Sequence, residues 1–239
     1  MHLFAIAILL FSPAHMSQTI ACSSSPTTIS ALHLAHEITL DALRPAGEWA
    51  KATPVAFCAD WQGKNADAGR QTEVRAMWTP HTLYVRFTCR YRDIIVFEDS
   101  DPSGRRDHLW DRDVAEAFLQ PDTSQKHHYK EFEVSPNGQW IDLDIGPSNI
   151  TREEPPRDLK SGLMRSVYLD KEKGIWEAEL AIPMRALTSS FDPKTVWRAN
   201  FFRVEGKQEP RFYSAWQATK TPEPNFHVPE AFGFLKFEK

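Results

Sequence analysis

The chain has 239 residues, 41% hydrophobic, 12% aromatic and 25% charged, with a formal net charge of −4. That composition is ordinary for a globular protein and supplies enough apolar material for one sizeable core, so a single domain is the default. Lys and Arg are scattered, with no basic stripe to track phosphates, which argues against a nucleic-acid partner.

Residues 1–36 contain no Asp, Glu, Lys or Arg, and Leu3 to Phe11 is an unbroken apolar run. The run is too short to span a bilayer but fits the apolar region of a signal peptide. Thr19-Ile20-Ala21 offers a small-x-small cleavage site before Cys22, so residues 1–21 are expected to be a signal peptide, although its first residues carry His2 and no Lys or Arg. The protein is then secreted, at the cell surface or periplasmic. Acylation of Cys22 is the lesser alternative, because the usual Leu is missing and the apolar run is distant. The Ser/Thr-rich residues 22–31 are expected to be a flexible tether, with order from near Leu32 and one domain over 32–239. No membrane-spanning segment follows.

Three cysteines are too few for a disulfide scaffold. In an exported chain Cys58 and Cys89 could pair, but each also fits a buried free thiol. The thiol reading is preferred because Cys89 is in register with Leu83, Val85 and Phe87.

Ile38 to Trp49 reads as a short strand running into a turn, with Trp49 as a core anchor. Thr72 to Thr79 and Leu83 to Tyr91 alternate as half-buried strands, and Pro80-His81-Thr82 is short enough to join them in a hairpin. Phe97 to Asp111 is a polar loop in which Asp99, Asp101, Ser103, Gly104 and Asp107 echo the oxygen-ligand spacing that opens a calcium loop. Trp110 stands where the closing Glu belongs, and Arg105 and Arg106 add positive charge, so a solvated acidic loop is the plainer account.

His108 to Gln120, HLWDRDVAEAFLQ, is the stretch expected to carry function. In an extended strand Ala115, Ala117 and Leu119 share one face, which reads as core, while Val114, Glu116 and Phe118 share the other. A carboxylate between two apolar neighbours needs a cation, water or a ligand. Trp110 lies near the rim of that face. A flat aromatic surface beside a carboxylate acceptor suits a sugar, which has both C–H faces and hydroxyls. The structural alternative pairs Glu116 with an Arg of the next strand and makes Trp110 a core aromatic.

Tyr129 to Ser135 and Gln139 to Ile145 flank Pro136-Asn137-Gly138, a strong hairpin signal. Gly146 to Gly162 is a loop holding the sequon Asn149-Ile150-Thr151. Leu163 to Leu169 and Ile175 to Pro183 form another strand pair, Met184 to Leu187 one helical turn, and Val196 to Val204, Arg211 to Gln217 and Phe232 to Glu238 the last strands. Roughly ten or more short strands with little helix argue for an all-β sandwich or barrel.

No phosphate loop, dinucleotide fingerprint, nucleophile elbow, C-x-x-C or H-E-x-x-H is present. Adjacent His127 and His128 point to opposite faces of a strand and do not suit one ion. A glycosidase needs two carboxylates across a cleft, which Glu116 with Glu131 or Glu133 would supply if their strands were neighbours.

Together, Trp110-Asp111-Arg112-Asp113-Val114-Ala115-Glu116-Ala117-Phe118, the Val74 to Trp78 and Leu83 to Val85 segments, the Phe132 to Ser135 segment, Trp176 to Pro183, Trp197 to Arg203 and Ala231 to Leu235 resemble the family 9 carbohydrate-binding modules. The resemblance runs from about Ile38 to the C-terminus. It implies a DOMON-like antiparallel β-sandwich that binds sugar ends between two aromatic rings, without catalysis, in polysaccharide catabolism. Trp110 matches one ring, Phe226 stands where better-known members have Trp, and Asp113 and Glu116 match the acidic positions. Glu133 departs from the pattern, replacing a basic residue. Structural calcium in the family lends weight to the Asp99, Asp101 and Asp107 loop. The implied partner is carbohydrate, from a mono- to a polysaccharide. Other readings are a glycoside hydrolase using Glu116 and a strand neighbour, or a haem-binding DOMON-like electron-transfer domain, for which Met77 and a histidine are the only axial pair on offer.

Overall fold

The computed structural model describes residues 25–98, 104–151 and 155–239. Residues 1–21, expected to be a signal peptide, and Cys22, Asp99 and Asp101 lie outside the described residues. Runs of alternating side chains form thirteen strands: β1 (Thr28–His33), β2 (Val55–Phe57), β3 (Thr72–Trp78), β4 (Thr82–Arg90), β5 (Val114–Gln120), β6 (Tyr129–Val134), β7 (Trp140–Ile145), β8 (Arg157–Asp158), β9 (Met164–Asp170), β10 (Ile175–Pro183), β11 (Trp197–Glu205), β12 (Phe212–Ala215) and β13 (Gly233–Phe237). Two four-residue helices, α1 (Pro147–Ile150) and α2 (Met184–Leu187), interrupt them.

The strands hydrogen-bond in the order β8, β7, β6, β5, β11, β13, β1, β3, β4, β10, β9, with β12 added to β11 and β2 to β3. This continuous sheet curls into a sandwich. Ala115, Ala117 and Leu119 of β5 and Phe132 and Val134 of β6 share one buried cluster with Val85 and Phe87 of β4 and Trp176, Ala178 and Leu180 of β10. The interior is thus filled from both layers, as face-to-face sheet packing requires. All pairings are antiparallel except those of β1, which runs parallel to both β13 and β3.

β1 begins within the stretch expected to be a tether (22–31) and runs on to His33. Ile29 and Ala31 alternate into the core, and the register Ile29 to Leu235 and Ala31 to Ala76 seats the strand between two neighbours. Ser/Thr content suggested a linker because it masked this two-residue period. Its neighbour β13 opens at Gly233, where an added Cβ would come within 2.7 Å of both the Thr27 carbonyl oxygen and the Trp216 ring. Only glycine allows that close approach.

The strand expected over Ile38 to Trp49 is absent. The segment's backbone N–H groups are satisfied by side chains rather than a ladder, with Asp41 donating to Glu179 at 3.0 Å and Ala42 to Ser166 Oγ at 3.0 Å. It ends in a short 3-10 turn at Gly47–Ala50. Trp49 does anchor it, packing with Leu34, Met77 and Tyr84 on the outer face of the β3, β4 and β10 layer. The thiol reading holds for Cys89, which is free and buried, but not for Cys58, which is disulfide-bonded.

Candidate functional site

The site grows from the outer face of β5, β6 and β11. Because β5 alternates, Val114 and Phe118 join an apolar cluster with Tyr129, Leu143, Phe202, Phe226 and Phe232, on the side of that layer away from the sandwich interior. Among these rings Phe118 stacks on Tyr129 at 5.3 Å between centroids, and Phe226 lies nearly parallel to Phe202 at 4.1 Å. This platform floors a cleft of about 600 Å³ whose lining includes Trp110, Glu116, Glu131, Glu133, Arg211, Tyr213, Phe226 and His227.

Register places the three glutamates together. Glu116 on β5 lies directly opposite Glu133 on β6, and Glu131 pairs with Phe118 two residues along the same face. Each offers a carboxylate oxygen within 4.8 Å of the other two, and all three side chains are buried. Removal from water pushes the Glu116 carboxyl well above its ordinary range, the Glu131 carboxylate adds to this, and Arg211 partly offsets it. Glu133 is raised in the same way, first by burial and then by Glu116 and Glu131. Burial and the same two carboxylates also raise the Tyr129 phenol, which hydrogen-bonds His227 Nδ1 at 2.6 Å.

Trp110 sits half-buried on a 3-10 turn, Leu109–Asp111, at the cleft rim, with its ring 4.9 Å from that of His108. Arg211 fixes that turn by donating to the Trp110 carbonyl at 2.7 Å. The same guanidinium donates to Glu209 at 3.2 Å and lies 4.9 Å from the Tyr213 ring. The cleft therefore combines aromatic walls, a cationic group and a carboxylate floor, which can present flat apolar faces and hydrogen-bond acceptors to one small ligand.

Of the residues singled out from the sequence, Trp110, Glu116 and Phe226 meet in this cleft. Asp113 does not line it. Both its carboxylate oxygens accept backbone N–H groups, from Gly206 at 2.7 Å and Ile95 at 3.2 Å, so it latches two loops. Asp107 is exposed and bonded to Arg105 at 2.7 Å. Met77 is buried beside Trp49 and Tyr84 on the opposite layer. Sequence reading passed over Arg211, Tyr213 and His227. The register of β12 against β11 brings Tyr213 in, Arg211 comes from the loop just before β12, and the 224–227 loop carries His227 beside Phe226.

Residues 60–237 match the family described as carbohydrate-binding family 9. A protein of Arthroderma benhamiae named an extracellular protein is 26% identical over 179 residues, covering 70% of this chain and 78% of that one. The C4orf33 homologue of Rattus norvegicus, a UPF0462 protein, is 30% identical over 144 residues, 57% of this chain and 65% of its own. Among solved structures, a family 9 module of Caldicellulosiruptor kristjanssonii in complex with glucose superposes with a TM-score of 0.62 at 15% identity, covering 88% of this chain and 95% of that one. The same organism's module in complex with cellotriose gives 0.61 at 14% identity, over 88% and 93% of the two chains. No helix of the described residues is long and apolar enough to cross a membrane.

Proposed function

From a chain that belongs to carbohydrate-binding family 9, we propose an exported, non-catalytic module that holds a sugar or a polysaccharide end in the cleft between Trp110 and Phe226. The observation that carries this reading is that Trp110, Glu116 and Phe226, separated by up to 116 positions in sequence, line one cleft with Arg211 and Tyr213. Trp110 offers a ring for stacking on the sugar's C–H face, and Glu116 accepts from its hydroxyls. Phe202 already covers one face of Phe226, so that residue acts as a wall braced from behind. Relatives in the same family bind glucose and cellotriose, which supports neutral hexose chains as the first ligands to try, and a role in polysaccharide catabolism.

Binding is favoured over glycoside hydrolysis by the direction of the carboxylates. Glu116 and Glu133 rise side by side from neighbouring strands of one sheet face, whereas hydrolysis needs two carboxyl groups flanking the scissile bond. Export is supported by the extracellular name of the Arthroderma relative and by the disulfide at Cys58, since such bonds persist in oxidising compartments.

The test is a thermal-shift screen of the purified chain against glucose, xylose and their β-linked oligomers. Ligand that binds only the native state raises the melting temperature by mass action. A shift with one sugar, abolished by Trp110→Ala, is expected. No shift across the panel in folded protein sinks the reading.

A further inference from the structure

The carboxylate floor asks for more than a neutral sugar. Glu133 has 0% exposure, and no donor from outside the glutamate cluster reaches either of its carboxylate oxygens, its one side-chain neighbour being Glu131; Glu131 Oε2 is likewise buried. Leaving such atoms unpaired is costly, and an orphaned buried charge normally marks a missing partner. Arg211, the cation that lines the cleft, does not supply it. Arg211 acts on Glu116 through space, while its guanidinium is engaged with the Trp110 carbonyl and Glu209.

The oxygens are spaced for a single ion. With ligand bonds of about 2.3–2.6 Å, two oxygens on one calcium can stand no more than about 5 Å apart. Here one oxygen from each of the three glutamates lies within 4.8 Å of the others. We infer that Glu116, Glu131 and Glu133 form a binding site for a hard divalent cation at the floor of the cleft. The ligand set is all carboxylate, with no thiolate or imidazole, which favours calcium, manganese or magnesium over zinc or copper. One divalent ion compensates most of three carboxylate charges. The three glutamates line the same cleft as Trp110 and Phe226, so water or a ligand hydroxyl in that cleft would be available to such an ion. This site uses none of Asp99, Asp101 and Asp107, and it stands whether or not the cleft takes a sugar.

The experiment uses chelator-stripped full chain, titrated with calcium, manganese and magnesium chloride in the absence of sugar, by calorimetry and thermal melting. Wild type, Glu131→Gln and Glu133→Gln are compared. At least one of the three ions is expected to bind wild type and raise its melting temperature, with affinity at least tenfold weaker in both variants. In stripped protein both variants are expected to melt above wild type, because each substitution removes a buried ionisable carboxyl that opposes its two neighbours, without changing side-chain shape. Absence of binding by all three ions overturns the inference. So does binding that both variants retain within tenfold, which would locate the ion elsewhere. Variants that fail to fold or melt lower when stripped would also overturn it, by showing that the carboxylates brace the fold without metal.

Discussion

Asp113 offers a sharp test of how this site is built, because its sequence position suggests ligand contact and its geometry assigns it a structural task. Burial raises its pKa from 3.8 to about 6, against the opposing pull of Arg203 and of the Gly206 and Ile95 N–H groups. An acid with a raised folded pKa binds more protons folded than unfolded, so its contribution to stability is full below pH 3.8 and is lost as pH climbs through about 6. A rise of about two units, at ~1.4 kcal/mol each, gives a swing of about 3 kcal/mol, some two-thirds of it between about pH 4.5 and pH 7. Asp113→Asn cannot titrate, and its amide leaves one of the two backbone donors facing an N–H, at a cost of ~1–3 kcal/mol. Urea unfolding of both proteins across this range should therefore show a clear deficit for the variant at about pH 4.5 that closes by about 2 kcal/mol toward neutrality. Its sugar affinity should stay within about twofold, since the residue does not line the cleft. A pH-independent stability difference would refute the account of Asp113's burial, and a lost sugar affinity would return it to the ligand site.

Phe226 and Trp110 should separate by their packing. Phe226 is 8% exposed and stacked on Phe202, so Phe226→Ala should cost ~3–5 kcal/mol in denaturant unfolding, whereas the half-buried Trp110 should cost only ~1–2 kcal/mol when cut to Ala. Equal losses would make Trp110 a core residue. The Cys89 thiol, pushed up to about 11 chiefly by burial, should resist alkylation in native protein near pH 8 and react once unfolded in urea, because the thiolate is the nucleophile. Prompt labelling of the native chain would contradict its placement in the sandwich interior.

What the sequence disclosed followed from two-residue periods. β10 and the β6–β7 hairpin were legible because their apolar residues alternate and their turns carry Gly174 and Gly138, and β5 because Ala115, Ala117 and Leu119 share one face. So was the face that Glu116 shares with Phe118. β1 was hidden because its outward positions begin with Thr28 and Ser30 and its inward, buried ones are only Ile29 and Ala31. The Ile38 to Trp49 stretch has apolar alternation without strand partners, since its N–H groups go to Glu179 and Ser166. The triad of glutamates needed more than periodicity. Glu131 and Glu133 alternate on β6 in plain view, but only the register against β5 sets them beside Glu116. Arg211 and His227 come from loops whose return path no local pattern specifies, and the latch formed by Asp113 depends on Gly206, 93 positions away.

The central claim is that this cleft, and not another surface, takes the sugar. Amide hydrogen exchange of the native chain, with and without the sugar giving the largest thermal shift, tests it most directly. The account predicts slowed exchange in the Leu109–Asp111 turn and the 225–228 loop, with the β3, β4 and β10 layer unchanged. Protection confined to that opposite layer, or absent at both cleft walls under saturating sugar, would contradict it.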